Sequence, residues 1–327
     1  MTQAVPLVEI WRGSLLESLH SGHVVICDAS GQITDAWGDP EALIYPRSSA
    51  KMIQALPLME SGAADAASLT TEQLALSCAS HNGAAIHTDR VQTWLQNLNL
   101  QDEAFCCGPQ MPNDPDAHKH LLCGDHSPCR YHNNCSGKHS GFLTLTRHLE
   151  AGPDYVAIDH PVQRACLEAF ERVTGAASPG YGIDGCSAPN FQTTVAGLAR
   201  AMAVFASAPD GSAMQRLRTA MMLHPDLVAG EGRACTRLMR AMNGKAAIKT
   251  GAEGVFVGIL PGQRLGFALK IADGATRASE CVTAALLVRL GVLDPADPVA
   301  ARYLDAPIRN WDGLQTGEMR AVAGLAG

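Results

Sequence analysis

Strand-like patterns at both ends of the chain, with helical periodicities through its middle, predict an α/β (α+β) protein. The expected architecture is one antiparallel sheet assembled from both chain ends and flanked by helices, plus a mostly helical second lobe. On this reading residues 1–45 and 246–327 build the sheet domain, and residues 46–245 form the lobe.

The elements follow in order. Segments 8–12, 23–29 and 32–37 read as strands, the last two joined by Ser30 and Gly31, which makes a β-meander. From Ser48 onward Met52, Ile53, Leu56 and Met59 recur at helical spacing, with Pro57 as a kink. Thr70 and Gln73 form a capping-box pattern that opens a helix through Leu74 and Leu76, and Gly83 suits the stop after it. A further helix is expected at 86–98. Residues 102–135 are rich in Pro, Asp, His and Cys and lack any period, so they read as a long functional loop. Helical patterns return at 137–149, at 161–174 with Pro161 in the favoured first position, and at 191–208. Two β-rich runs, 246–260 and 265–272, are split by Pro261-Gly262-Gln263-Arg264, and 278–290 reads as an amphipathic helix.

Composition narrows the function classes. Of 327 residues, 32 are acidic and 25 basic, a net charge of -7, and no run of Lys or Arg tracks a phosphate backbone, which argues against nucleic acid as a partner. No apolar segment approaches the roughly 20 residues of a membrane-spanning helix. The N-terminal residues lack a basic flank, an apolar stretch and a small-residue cleavage site. Eleven cysteines, an odd number, therefore suggest reduced thiols, some of them metal ligands. A soluble cytoplasmic protein is the expectation.

Three short motifs carry chemistry. Ser48 stands at an expected helix start with Lys51 three residues on, so both share a face. A serine hydroxyl attacks only when a base takes its proton, and a lysine kept neutral in a partly buried site is such a base. Helix-start N–H groups nearby suit a developing oxyanion. Alone, this pattern equally describes a capped helix. Ser80-His81-Asn82-Gly83 ends a helix and can be mere punctuation; Lys249-Thr250-Gly251 lies on a late strand and can be a plain strand end. Their order is more informative than any one of them. Ser-x-x-Lys, then Ser-x-Asn, then Lys-Thr-Gly before a C-terminal helix is the arrangement of serine β-lactamases and penicillin-binding proteins.

Five segments together resemble the rhizobial-type asparaginase II family over most of the chain. They are Pro46-Arg47-Ser48-Ser49-Ala50-Lys51, Ser80-His81-Asn82-Gly83, Asn133-Asn134-Cys135-Ser136-Gly137-Lys138-His139, Gly185-Cys186-Ser187-Ala188-Pro189 and Lys249-Thr250-Gly251-Ala252-Glu253-Gly254. The resemblance implies hydrolysis of L-asparagine to aspartate and ammonia, a serine β-lactamase-like fold related to serine glutaminases, and a homodimer. It implies Ser48 with Lys51 as one Ser-Lys pair and Ser80 with Lys249 as the other. It also implies one zinc ion per chain, bound by Cys135, Lys138 and Cys186. The spacing is compatible, since Cys135 and Lys138 share a helix start while Cys186 comes from a separate loop. Chemistry alone would favour His139 or His132 over Lys138, because an amine must lose its proton before it binds a metal.

Smaller roles fall to neighbours. Arg47 suits a substrate α-carboxylate, and Asp184 an α-ammonium or a zinc ligand that needs orienting. His81, Asn82, Thr250 and Gly251 complete the expected substrate-binding set. Cys106, Cys107, Cys123 and Cys129 show no Cys-x-x-Cys spacing for a second metal. Competing readings are a serine glutaminase, a β-lactamase-like hydrolase, and a non-catalytic amino-acid or metal-binding protein on the same fold.

Overall fold

The computed structural model describes residues 3–326. The chain divides into two compact units: the first holds Met1–Ser49, Thr193–Ser207 and Arg237–Gly327, the second Ala50–Gln192 and Ala208–Thr236.

The first unit is built on an eight-stranded antiparallel sheet drawn from both chain ends, as expected. Across it the strands run Asp305–Arg309, Gln315–Ala321, Val5–Arg12, Leu15–Cys27, Leu265–Ile271, Val255–Leu260 and Ala247–Thr250, and Ile33–Trp37 also pairs with Leu15–Cys27. The meander is present, but Leu15–Cys27 is 13 residues long and begins well before residue 23. The 246–260 run is two strands, because Glu253 and Gly254 adopt left-handed φ values of 59° and 67° and turn the chain. Val255–Leu260 is apolar and buried throughout, and Ala247–Thr250 is buried apart from Thr250 although it carries Lys249, so no alternation marked the break. Helices Val195–Ser207 and Thr276–Arg289 pack on this sheet. Gly266 sits beneath the first of them, where a Cβ would lie 2.1 Å from the Ala203 nitrogen. The Val195–Ser207 helix and residues 237–245 thus belong with the sheet rather than with the helical lobe. The expected 191–208 helix starts only at Val195, since Pro189–Phe191 and Thr193–Thr194 are short strands. The hairpin 305–321 had no sequence signal.

The second unit is mostly helical. The capping box at Thr70 forms with both hydrogen bonds, opening helix Thr71–Ser77, and helices Ala85–Asn97 and Pro161–Thr174 stand where expected. The 102–135 stretch is not simply a loop. Asp114 accepts a hydrogen bond from the Ala117 N–H at 3.0 Å and caps helix Pro115–Cys123, a start signalled by Asp-Pro but hidden by its polar content. Helix Ser136–His148 is the axis of the unit, buried from Ser136 to Thr146 and packed on Thr71–Ser77, Ala85–Asn97 and Pro161–Thr174.

Gly137 sets how closely that axis approaches its neighbour, because a Cβ there would lie 2.4 Å from the Leu76 carbonyl oxygen. On an exposed helix Gly→Ala stabilises by about 1 kcal/mol. At this contact the backbone must give way, so Gly137→Ala is expected to destabilise the protein by about 2 kcal/mol. Urea unfolding of the two proteins measures the difference, and a stabilised variant would disprove the close approach.

Candidate functional site

In the sheet unit the site begins at the turn after strand Leu43–Ile44. Arg47–Ala50 forms a single 3-10 turn that runs into helix Lys51–Gln54. The N-cap of that helix is Ala50, with no side-chain cap, so Ser48 does not serve as one. Ser48 and Arg47 are half-buried. Arg47 has φ 53°, a left-handed conformation that a long side chain seldom adopts and that the surrounding packing must enforce. Ser49 ties the turn internally: its hydroxyl donates to the Pro46 carbonyl at 2.6 Å and its N–H to the same oxygen at 3.2 Å.

The late strand meets this turn. Gly251 lies so close that a Cβ would stand 2.7 Å from the Pro46 oxygen and 3.2 Å from the Ser49 nitrogen. Lys249, two residues earlier, is 1% exposed and donates to the Thr250 carbonyl at 2.8 Å. The Ser48 turn and Lys249-Thr250-Gly251, which lie 201 residues apart counting 249 minus 48, are thus neighbours within one unit.

The helical unit gathers the remaining residues. Lys51 is buried and its ammonium donates to the Ala79 carbonyl and, at 3.1 Å, to the Cys135 sulfur. Ser80 follows Ala79 directly, its N–H held by the Val228 carbonyl at 2.9 Å. Cys135 precedes helix Ser136–His148 and Lys138 lies in its first turn, so both are aimed from one helix start. Cys186 arrives on the turn of a hairpin between strands Tyr181–Ile183 and Pro189–Phe191. Lys138 donates to the Cys186 sulfur at 3.1 Å. Asp184, in the same turn, accepts the Gly185 N–H at 2.8 Å and adds negative charge near Lys138.

The charges in this cluster sort themselves out. The Cys135 thiol donates to the Asn134 side-chain oxygen at 3.0 Å. Neighbouring Cys186 and burial hold Cys135 well above the usual thiol range, whereas Cys186 is held well below it by Cys135 and by the Lys138 ammonium. Burial alone would lower the Lys138 amine, yet Cys186 and Cys135 outweigh it and raise it. The arrangement sets the buried Lys138 amine on the sulfur of the more acidic of two neighbouring thiols. Cys107, expected only as part of a loop, is buried near the same pair, and burial pushes its thiol up to about 12.

His81 and Asn82 are engaged with the protein itself. His81 Nδ1 accepts the Gly83 N–H at 3.2 Å, which leaves the proton on Nε2 to donate to the Ser136 hydroxyl at 2.9 Å. Asn82 accepts the Ala84 N–H and donates to Asp114, both at 3.3 Å, beneath Gly230, where any side chain would strike its amide. A cleft of about 600 Å³ opens beside this segment, lined by Gly83, Asp114, Asp116, His120, His132 and Glu231 among others. Among the described residues, no group of three or more His, Cys, Asp or Glu is arranged to hold a metal, which includes the Cys/His-rich 102–135 stretch.

A sheet drawn from both chain ends, with a Ser-x-x-Lys turn against a Lys-Thr-Gly strand and buried lysines in the helical unit, is the layout of a hydrolase that works on amide bonds. The family model for L-asparaginase II matches residues 8–321, and the chain belongs to that family of amidohydrolases. No curated protein matches the chain. Solved structures similar to it include Mglu in its tris and glutamate form, 13% identical with TM-score 0.49 over 86% of this chain and 62% of that one. A β-lactamase from Mycobacterium bovis is 13% identical with TM-score 0.43, covering 82% and 94%. The octameric penicillin-binding protein homologue from Pyrococcus abyssi is 12% identical with TM-score 0.39, covering 92% and 84%. The chain spans a little under two thirds of the Mglu chain. None of these TM-scores reaches 0.5, and the architecture rests on the topology described above. Among the described residues no helix is long and apolar enough to cross a membrane.

His81 and His87 stack with ring centroids 4.7 Å apart and planes within 7°. Burial lowers both below the usual 6.5, His81 the more strongly, with His87 and Lys51 adding to its shift. The unfolded chain therefore takes up protons near pH 6.5 that the folded one refuses, so the stability these residues contribute is full above that pH and falls as the pH drops below it. The urea midpoint is expected to fall between pH 7.5 and pH 5.5, and to fall less in His87→Gln. An equal fall in both proteins would remove His87 from the account.

Proposed function

We propose that this protein hydrolyses L-asparagine to L-aspartate and ammonia through a serine acyl-enzyme. The observation that carries the reading is the packing of Gly251 against the Pro46–Ser49 turn, which sets a buried Lys249 on the strand beside Ser48. Family membership supports amide hydrolysis, and the motif order supports a serine nucleophile. In this mechanism Lys51, in its neutral amine form, takes the Ser48 proton as Ser48 attacks the side-chain amide carbon. N–H groups of the 3-10 turn stabilise the oxyanion, and ammonia leaves protonated. Water then cleaves the ester, with Ser80 and Lys249 moving protons to the leaving amine or from that water. Arg47 pairs with the substrate α-carboxylate and Asp184 with its α-ammonium, while Thr250 and Gly251 line the strand side. His81 and Asn82, occupied as they are, shape the segment that carries Ser80. The enzyme acts as a cytoplasmic homodimer in this reading, and sedimentation would give the dimer mass.

Zinc belongs to the same proposal. Cys135, Lys138 and Cys186 are all under 5% exposed, and a thiolate already attracts a cation there in the form of the Lys138 ammonium. Two thiols and an amine form a donor set that suits zinc once Lys138 is deprotonated. Bound zinc would supply Lewis-acid polarisation of a substrate oxygen. Cys135 and Cys186 would be held as thiolates, and Asp184 would keep the hairpin turn in place.

Ser48→Ala is expected to lower ammonia release from asparagine by about 10³-fold or more with the fold intact. Wild-type turnover in a folded variant would end the serine mechanism. Asparagine should be preferred to glutamine by roughly 10- to 200-fold, the reach of one methylene, and the reverse preference would make the enzyme a glutaminase. Elemental analysis of protein purified without added metal should find about one zinc per chain, lost in Cys186→Ala. A metal-free wild type would refute the zinc assignment.

A further inference from the structure

The helical unit holds a second cavity, of about 520 Å³, enclosed by the 63–70 segment, helix Ala85–Asn97 and the C-terminal end of helix Ser136–His148. That volume is typical of a small-molecule site. None of its lining residues belongs to the site described above. Arg147, at its edge, lies nine residues beyond Lys138, counting 147 minus 138, which is about 13 Å along the helix axis.

The interior is apolar. Ala66, Leu69 and Leu98 form walls, and Trp94 with Thr144, both nearly inaccessible, closes the inner end. Trp94 Nε1–H donates to the Thr144 hydroxyl at 3.1 Å, which donates in turn to the Ser140 carbonyl at 2.8 Å. Those polar atoms are spent within the protein. Thr70 and Gln73 likewise satisfy each other in the capping box.

The rim is cationic. The protein carries a net charge of -7, yet no Asp or Glu lines this cavity, in contrast to the cleft beside Gly83 with its Asp114, Asp116 and Glu231. Arg90, Arg172 and Arg216 in the same unit each meet a carboxylate within 2.9 Å. Arg147 does not. One of its guanidinium nitrogens donates to the Leu98 carbonyl at 2.6 Å, and among the described residues no carboxylate pairs with the rest of the group. His148 beside it donates Nε2–H to the Ser61 carbonyl at 3.1 Å and so ties the helix end to the wall. The Asn97 amide, on the same rim, forms no hydrogen bond with another described residue. A guanidinium is always charged and its planar fork matches a carboxylate, while apolar walls favour an apolar body.

We propose that this cavity binds a small organic acid, its carboxylate paired with Arg147 and Asn97 at the rim and its aliphatic or aromatic body against Leu69, Leu98 and Trp94. Such binding is independent of the reaction proposed above.

The probe is 4-phenylbutyrate, with 4-phenylbutanol as its uncharged counterpart, and calorimetric titration of the full-length protein gives both affinities. The acid should bind saturably at one site per chain, and the alcohol about 10-fold or more weakly, the reach of hydrogen bonds to a charged group. Arg147→Gln should lose a similar factor for the acid and leave the alcohol unchanged. Ala66→Trp, which fills the cavity, should lose both. Thermal midpoints show whether each variant is folded. Excess L-aspartate, a carboxylate without an apolar body, should leave the acid bound. Absence of saturable binding to the wild type overturns the proposal, as does equal affinity for acid and alcohol or wild-type affinity in a folded Arg147→Gln. If that variant does not fold, wild-type affinity in Ala66→Trp overturns it instead. Displacement by L-aspartate would place the acid in the amino-acid site near Ser48 and overturn it as well.

Discussion

Two lysine ammonium groups lie buried in the helical unit, and a buried charge persists only where partners replace the water it has lost. Lys51 finds the Ala79 carbonyl and the Cys135 sulfur; Lys138 finds the Cys186 sulfur. The rest of the unit is arranged to keep those partners in reach. The capped helix Thr71–Ser77 ends so that Ala79 presents its carbonyl, and Gly137 lets the central helix come close enough to set Cys135 beside it. The 181–191 hairpin folds its turn inward to deliver Cys186.

Pairing lysine with cysteine, rather than with carboxylates, has a chemical consequence. A carboxylate would hold each ammonium permanently, whereas a thiol is a conditional anion whose charge depends on its neighbours. In this cluster the Cys186 thiol is pushed down and the Cys135 thiol up, and it is Cys186 that Lys138 contacts.

The sheet unit solves a different problem, that of bringing the Pro46–Ser49 turn and a distant strand together. Gly251 and Ser49 do so through backbone proximity rather than charge, which is why no side chain can be added at 251 and why Arg47 is held at a positive φ.

Much of this was legible in the residue order. Period-two and period-3.6 patterns placed the antiparallel sheet at the chain ends, the capping box at Thr70 and the helix at Pro161, because those signals are local: they depend on which neighbours along the chain share a face. Ser48, Ser80 and Lys249 could be named the same way, from short motifs, whereas Cys135, Lys138 and Cys186 came only from the family resemblance. The break at Gly251 to Gly254 was hidden because the strands on either side are buried on both faces and show no alternation, and the Pro115–Cys123 helix was hidden by its polar content. Tertiary structure alone decided who touches whom. Lys51 on Cys135, His139 Nδ1 on the Tyr155 hydroxyl, the Asn82 amide on Asp114 and the contact of Gly251 with Pro46 join residues from 16 to 205 positions apart, counting 155 minus 139 and 251 minus 46. Contacts over such distances arise from packing and from the need to satisfy buried polar groups, and neither leaves a period in the sequence.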